Sequence, residues 1–209
     1  MNTDGRHVVL GVTGSIGAYK AADLVRRLRD HGCTVTCLLT KEAEHFITPL
    51  TLQTLSEQRV YTDLFTLEDP HVIHTRLAER ANLLIIAPAT ANVIGKLAHG
   101  LADDMLTCAA LATKAKVLLA PAMNVHMYQH ATVQENLRRL RQLRYHVVGP
   151  NLGSLACGYE ALGHIAEVEE IVRAALPLLG MAAPKAAPPA AKPRSASSAS
   201  RGSAKKRRR

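Results

Sequence analysis

Short apolar segments alternate along this chain with stretches of helical periodicity, and this alternation limits the fold more than any other feature. The apolar segments cover residues 8–12, 34–39, 83–87, 117–120 and 146–148. They lack the apolar–polar alternation of a strand with one face in water, so we expect them to be buried on both faces. Buried strands that alternate with helices form parallel sheets, because each connection crosses back over one face. The sequence therefore predicts an α/β protein with a doubly wound parallel sheet.

The helical stretches indicate which parts of the chain cover the two faces of this sheet. Helical patterns are found at residues 16–30, in two stretches within 41–58, and at 91–99, 102–113, 130–143 and 168–179. Residues 1–180 are numerous enough to bury a stable core without a metal or disulfides, and we expect them to form one domain.

The positive charge of the chain belongs to its last residues rather than to this domain. The net charge is +9, and residues 181–209 contain nine Lys and Arg residues and no acidic residue. Residues 1–180 are therefore electrically balanced. The composition of 181–209, rich in Ala, Pro, Ser, Lys and Arg, predicts a disordered basic tail. This tail either binds nucleic acid or other anionic surfaces non-specifically or has no specific partner.

The sequence also indicates the cellular compartment in which the protein is expected. No apolar run reaches the length of a membrane span, and residues 1–5 lack the charged and apolar regions of a signal peptide. We therefore expect a cytoplasmic protein without a membrane anchor. Cys33, Cys37 and Cys108 match no zinc or redox motif and are expected to be structural thiols in a reducing environment.

A glycine-bearing turn follows the first strand and leads into the first helix. It runs from Gly11 to Gly17 and contains Gly14, Ser15 and Ile16. Backbone amides at a helix N-terminus, with glycines that allow close approach and a serine hydroxyl, suit a phosphate group. The same pattern also occurs where a glycine turn only packs a helix on a strand, so both interpretations stay open.

The end of the second strand bears on which ligand the turn would hold. Folds that bind dinucleotides usually place an acidic residue there for the adenosine ribose, whereas this strand ends Leu39-Thr40-Lys41. The missing carboxylate argues against NAD and favours a mononucleotide such as FMN. Thr40 is a candidate ligand contact, with a helix N-cap as the equally good alternative.

Two further strand ends and one loop complete the candidate site. Residues 87–92 offer small side chains against which a ring can lie, with Thr90 and Asn92 as hydrogen-bonding groups or helix caps. Asn124 follows another strand, and Cys157 lies in the loop 153–158. Because ligands bind beyond the carboxyl ends of parallel strands, an amide, a thiol and small-residue turns are expected to converge on one pocket.

Four motifs in this order carry a family resemblance: Gly14-Ser15-Ile16-Gly17-Ala18-Tyr19-Lys20, Ala87-Pro88-Ala89-Thr90-Ala91-Asn92, Pro121-Ala122-Met123-Asn124-Val125-His126-Met127-Tyr128 and Leu155-Ala156-Cys157-Gly158. Together they resemble the homo-oligomeric flavin-containing cysteine decarboxylases, over residues 7–180. The resemblance implies a single Rossmann-like flavoprotein domain. It also implies a homotrimer or a trimer-based higher oligomer with FMN bound at subunit contacts.

The resemblance also assigns roles to individual residues. It implies that His74 is the active-site histidine, that Asn124 holds the substrate carboxylate and that Cys157 protonates an intermediate. The residues implied to bind FMN are Gly14, Ser15, Ile16, Thr40, Pro88, Ala89, Thr90 and Asn92. Those implied to bind substrate are Ala122, Met123, Asn124, Met127 and Gly158. Judged on its own, His74 is a surface histidine.

The implied activity is FMN-dependent decarboxylation of 4′-phosphopantothenoylcysteine to 4′-phosphopantetheine in coenzyme A biosynthesis. FMN oxidises the substrate thiol to a thioaldehyde, which accepts the electrons released with CO₂, and the hydride then returns to the product. Two alternatives stay open: decarboxylation of a peptidyl cysteine, and a non-catalytic FMN-binding regulatory subunit. Flavin prenyl transfer on a similar fold is disfavoured, since that chemistry needs neither Asn124 nor Cys157.

Two positions depart from the family pattern in the segment implied to form a flap over the substrate. Ala161 stands where a glycine is expected, and His164 where an arginine is expected. A partly charged His164 is expected to grip the substrate less well as the pH rises. Separately, His126 and His130 lie four residues apart, but without a glutamate in the motif we expect no metal site.

Overall fold

The structure is a computed structural model that describes residues 6–65, 72–154 and 160–182. Cys157, Gly158 and the predicted basic tail after residue 182 lie outside the described residues. The domain boundary near residue 180 stays a prediction.

Five parallel strands form the central sheet. They are β1 (His7–Val12), β2 (Thr34–Leu39), β3 (Leu83–Ala89), β4 (Lys116–Pro121) and β5 (His146–Val147), arranged in the order β2-β1-β3-β4-β5. The chain runs outward from β1 to β2 and then returns to the other side of β1 with β3. The predicted doubly wound α/β fold is therefore confirmed, with its topological switch point between β1 and β3.

Helices cover both faces of the sheet. They are α1 (Lys20–Asp30), α2 (Pro49–Ser56), α3 (Ile73–Arg80), α4 (Ala91–His99), α5 (Met105–Ala112), α6 (Val125–Gln129), α7 (Ala131–Gln142) and α8 (Val168–Leu178). Leu83 and Ile85 of β3 pack into the core on the side of α1, α2 and α8. Leu84 and Ile86 pack into the core on the side of α3, α4, α5 and α7. This double burial explains why the strand has no polar positions, and each such side chain contributes about 1.5–3 kcal/mol.

The structure differs from the predicted elements in four places. The helix expected over 16–30 begins as a 3-10 turn, Ile16–Tyr19, before α1. Helices α3 and α6 were not predicted. Nor was the antiparallel hairpin of β6 (Asn151–Ser154) and β7 (Glu160–His164). These two strands are short and mix charged, polar and glycine residues, so their sequence lacks the apolar pattern of the central strands.

The described cysteines fit the structural role expected of them. Cys33 and Cys37 are buried free thiols, and burial raises the pKa of Cys37 to about 12. Cys108 donates a hydrogen bond from Sγ to the Ala102 carbonyl at 3.2 Å. A thiol that stays protonated is a poor nucleophile, so Cys33 and Cys37 are unsuited to covalent chemistry.

No helix within the described ranges combines the length and the apolar character needed to cross a membrane.

Candidate active site

A cavity of about 300 Å³ opens at the carboxyl edge of the sheet, next to the switch point between β1 and β3. Among the residues predicted to bind a cofactor, those that line it are Gly14, Ser15, Thr40, Thr90 and Asn92. Among the residues predicted to bind substrate, those that line it are Ala122, Met123 and Met127. The turns after β1, β2, β3 and β4 therefore converge as expected from parallel strands.

The turn after β1 presents the start of the 3-10 helix to this cavity. Ser15 is its N-cap, and the Ser15 Oγ accepts a hydrogen bond from the Gly17 backbone N–H at 3.3 Å. A Cβ on Gly14 would lie 2.4 Å from the Cβ of Glu42, so only glycine allows this close packing. The predicted contact Ile16 is instead 59 % exposed and does not line the cavity.

Thr13, which the sequence analysis missed, joins the turns after β1 and β3. Its buried Oγ1 donates to the Pro88 carbonyl at 2.7 Å and accepts from the Thr90 N–H at 3.2 Å. The Thr90 Oγ1 in turn caps α4 by accepting from the Val93 N–H at 3.4 Å. Pro88 and Ala89 belong to β3, with Ala89 fully buried, and they support the cavity without lining it.

Thr40 has the unusual feature of a buried hydroxyl with no hydrogen-bond partner among the residues that the structure describes. The next helical turn starts at Ala43. The Ala43 N–H donates to the Thr40 carbonyl and not to the Thr40 side chain. The helix-cap alternative for Thr40 is therefore wrong. An unsatisfied buried hydroxyl costs about 1–3 kcal/mol, so this group is available to a ligand in the cavity.

A charged cluster on the cavity wall was also not predicted from the sequence. The Lys96 Nζ lies 2.7 Å from Asp103 Oδ1 and 2.9 Å from Asp104 Oδ2. Burial opposes the charge of Lys96, but its hydrogen bonds to Asp103 and Asp104 outweigh burial and raise its pKa. Burial likewise opposes the charge of Asp104, but bonds from Thr107 and Lys96 lower its pKa. Asp104 also caps α5, so Lys96 and Asp104 place fixed charges beside the cavity.

The loop after β4 forms the opposite wall of the cavity. The Asn124 Oδ1 accepts from the His126 N–H at 2.8 Å and so caps α6. The Met123 N–H donates to the Gly163 carbonyl of β7 at 3.1 Å. Asn124 directly follows the lining residue Met123 without lining the cavity itself. The hairpin strand β7 therefore packs on the loop that carries the predicted carboxylate-binding residue.

His74 does not line the cavity at the carboxyl edge of the sheet. It is half-buried near the start of α3, and the end of this helix leads to Asn82, whose Oδ1 accepts from the His7 N–H at the opposite edge. His74 therefore lies further from that edge than the end of α3 does. It does not join the lining residues of its own chain.

The structure also gives the positions of His130 and His164. His130 ends α6, and its Nδ1 accepts from the Thr132 N–H at 3.3 Å, so it shares no helix face with His126. His164 Nε2 lies 3.1 Å from the Lys20 Nζ. Because an ammonium group only donates, Lys20 is the donor in this contact. His164 thus contacts a lysine of its own chain, and its grip on the substrate stays a prediction.

The fold and the cavity define a class: α/β proteins that bind a ligand at the switch point of a parallel sheet. Within that class, the chain belongs to the Flavoprotein family, whose model matches residues 1–179.

Three comparisons specify this membership. The chain is 50 % identical over 171 residues to the coenzyme A biosynthesis bifunctional protein CoaBC of Bacillus subtilis, covering 81 % of the chain and 42 % of the relative. It is 43 % identical to the probable phosphopantothenoylcysteine decarboxylase of Streptococcus mutans, covering 80 % of the chain and 96 % of the relative. The solved structure of the FMN binding protein AtHal3 is 32 % identical with a TM-score of 0.70, covering 79 % of the chain and 92 % of that structure.

The chain thus spans less than half the length of the bifunctional relative and nearly the whole length of the decarboxylase.

Proposed function

We propose that this protein binds FMN in the cavity at the carboxyl edge and decarboxylates 4′-phosphopantothenoylcysteine to 4′-phosphopantetheine in coenzyme A biosynthesis. The observation that carries the proposal is the buried Thr40 hydroxyl, which lines the cavity and has no partner among the described residues. Relatives named as decarboxylases and as an FMN-binding protein support the same conclusion.

The residues around the cavity suit FMN in three ways. The amides at the Ser15 turn can take the phosphate, because a helix N-terminus attracts anions. No carboxylate follows β2 at Thr40, where a dinucleotide would need one for its second ribose. The small residues before Asn92 leave space for a ring, and the exposed Glu42 at the rim can turn towards solvent.

FMN bound there supplies a two-electron acceptor for the substrate thiol, which makes the neighbouring carboxylate a leaving group. The protein provides binding and proton handling. The neutral amide of Asn124 would orient the substrate carboxylate without the strong ionic attraction of a lysine, which would oppose the departure of CO₂. We assign Cys157 as the proton donor to the product, a role that needs a protonated thiol.

We infer that a second copy of the chain completes the site, in a homotrimer or a trimer-based assembly. His74, the implied active-site histidine, does not line the cavity of its own chain. Near the cavity, Ile16 and Tyr19 are 59 % and 57 % exposed, and Met127 is half exposed. Exposed apolar groups at the edge of a site favour a partner subunit. A chain that is monomeric by light scattering yet fully active would contradict this assembly.

We also place the enzyme in the cytoplasm, where reduced structural thiols such as Cys33 and Cys37 are stable. We propose that the basic tail adds a salt-sensitive attraction to anionic surfaces and takes no part in the chemistry.

The substrate is the point that an experiment must decide. The purified protein, reconstituted with FMN, is incubated with 4′-phosphopantothenoylcysteine or with a peptide ending in cysteine, and loss of CO₂ is followed by mass spectrometry. We expect loss from the phosphorylated substrate only. Loss from the peptide alone would indicate peptidyl-cysteine decarboxylation, and loss from neither would favour a regulatory FMN-binding subunit.

Replacing Thr40 by valine tests the cofactor assignment. The T40V substitution removes the unpaired hydroxyl and keeps the shape of the side chain, so FMN is expected to bind about tenfold more weakly. The apoprotein should be no less stable, since the hydroxyl makes no hydrogen bond to the described part of the chain. Quenching of flavin fluorescence measures the affinity.

The matched control is Thr54→Val, which removes a hydroxyl bonded to the Leu50 carbonyl on α2, away from the cavity. This variant should leave FMN affinity unchanged. Equal FMN affinity of T40V and the unmodified protein would show that Thr40 does not contact the cofactor.

A further inference from the structure

Lys20 uses all of its hydrogen-bond donors to join three elements of the fold. It is the first residue of α1, just after the turn from Gly11 to Gly17 that we call the cofactor turn, and only 8 % of it is exposed. Its Nζ donates to both carboxylate oxygens of Glu167 at 3.0 Å and to His164 Nε2 at 3.1 Å. An ammonium has three N–H groups, so every donor of this nearly buried cation has an acceptor.

His164 stands at the end of β7, between the cofactor turn and the loop after β4. The preceding residue, Gly163, accepts a hydrogen bond from Met123 and leaves no space for a side chain there: a Cβ would lie 2.2 Å from the Met123 carbonyl oxygen. The following residue, Ile165, packs on the cofactor turn, 3.1 Å from the position of a Cβ on Gly17. His164 therefore lies between a residue that holds the loop after β4 and a residue that packs on the cofactor turn.

The other strand of the hairpin is fixed to the same region. The Asn151 Nδ2 at the start of β6 donates to Glu170 Oε2, which also accepts from the Glu167 N–H at 2.9 Å. The Lys20 ammonium binds the side chain of that same Glu167. Both strands are thus linked to the first turn of α8 by charged or amide groups. Lys20 connects that turn of α8 to the start of α1, just after the cofactor turn.

We infer that Lys20, His164 and Glu167 form an anchor that positions β7, and through it the loop Met123–Asn124, relative to the cofactor turn. This inference rests on the proposed function, because the loop is the one we assign to substrate. Lys20 does not line the cavity. Losing the anchor is therefore expected to weaken substrate binding while cofactor binding persists. His164 contacts the Lys20 ammonium in the anchor, where the family pattern has an arginine.

Three substitutions test this anchor in the FMN-reconstituted protein. Lys20→Met removes the donors, His164→Leu removes the acceptor, and His164→Gln keeps an uncharged acceptor. We expect the first two to raise KM for 4′-phosphopantothenoylcysteine about tenfold, as for the loss of one charge-assisted hydrogen bond, with kcat and FMN affinity changed less than about twofold. His164→Gln should keep KM within about twofold of the unmodified protein. Lys114→Met, which removes an exposed lysine, is the matched control and should change none of these values.

A second measurement does not depend on activity. Hydrogen exchange in the apoprotein should become faster at the Met123 amide in Lys20→Met and His164→Leu, because its bond to Gly163 loosens, and stay unchanged in His164→Gln and Lys114→Met. Unchanged exchange in Lys20→Met, or a His164→Gln variant as impaired as His164→Leu, would overturn the anchor. Absence of CO₂ release from the unmodified protein would instead refute the proposed function, and the exchange experiment would still decide the anchor.

Discussion

Replacing Gly163 by alanine is expected to reduce kcat/KM for the proposed substrate about 100-fold, the largest loss we expect from a single added methyl group. Gly163 has φ +141°, and its missing Cβ would lie 2.2 Å from the Met123 carbonyl oxygen. The obstacle is backbone, not a flexible side chain, so either β7 or the Met123–Asn124 loop must move. Steady-state CO₂ release measures the loss.

Gly100→Ala is the matched control for this prediction. Gly100 also has a positive φ, +69°, but no atom of the described residues lies within 4 Å of its Cβ position. This variant therefore carries backbone strain of about 1 kcal/mol without a clash, and its kcat/KM should stay close to that of the unmodified protein. Equal activities of the two variants would mean that the contact between β7 and the loop does not matter for the reaction.

Replacing Asn124 by aspartate is expected to lower turnover by about 10²–10³-fold with the fold and FMN binding retained. Asparagine and aspartate are equally good N-caps, so the new carboxylate can still accept from the His126 N–H and begin α6. Its negative charge would, however, face the substrate carboxylate, and like charges in close contact repel. CO₂ release, flavin absorbance and the unfolding midpoint separate these effects.

Asn124→Ala provides the comparison, because it loses the cap as well as the amide. Its free energy of unfolding should fall by about 1 kcal/mol, which Asn124→Asp should avoid. An Asn124→Asp variant with unimpaired turnover would remove Asn124 from the proposed role in binding the carboxylate.

The central sheet could be predicted from the sequence because its strands are buried on both faces and therefore consist of consecutive apolar residues. Strand β3 is the clearest case, with every residue from Leu83 to Ala89 buried. The hairpin of β6 and β7 could not be predicted in this way. Its strands are held by Asn151, His164 and the Gly163–Met123 contact, which depend on partners distant in the sequence.

Residues of the candidate site could be predicted where a short motif directly follows the end of a strand. Gly14, Ser15, Thr90 and Asn92 all line the cavity, because parallel strands bring their carboxyl ends to one edge. Lys96 was missed because its importance depends on Asp103 and Asp104, which only the packing of α4 and α5 brings close. For the same reason the sequence did not reveal that His164 contacts Lys20, which is distant from it in the sequence.

FMN-dependent release of CO₂ from 4′-phosphopantothenoylcysteine is the most direct measurement of the proposed function. The purified protein is stripped of flavin, assayed, reconstituted with FMN and assayed again, with the flavin spectrum recorded before and after turnover. We predict that CO₂ is released only after reconstitution and that the flavin ends the reaction oxidised. A protein that binds FMN stoichiometrically yet releases no CO₂, or that releases it equally well without flavin, would contradict the proposal.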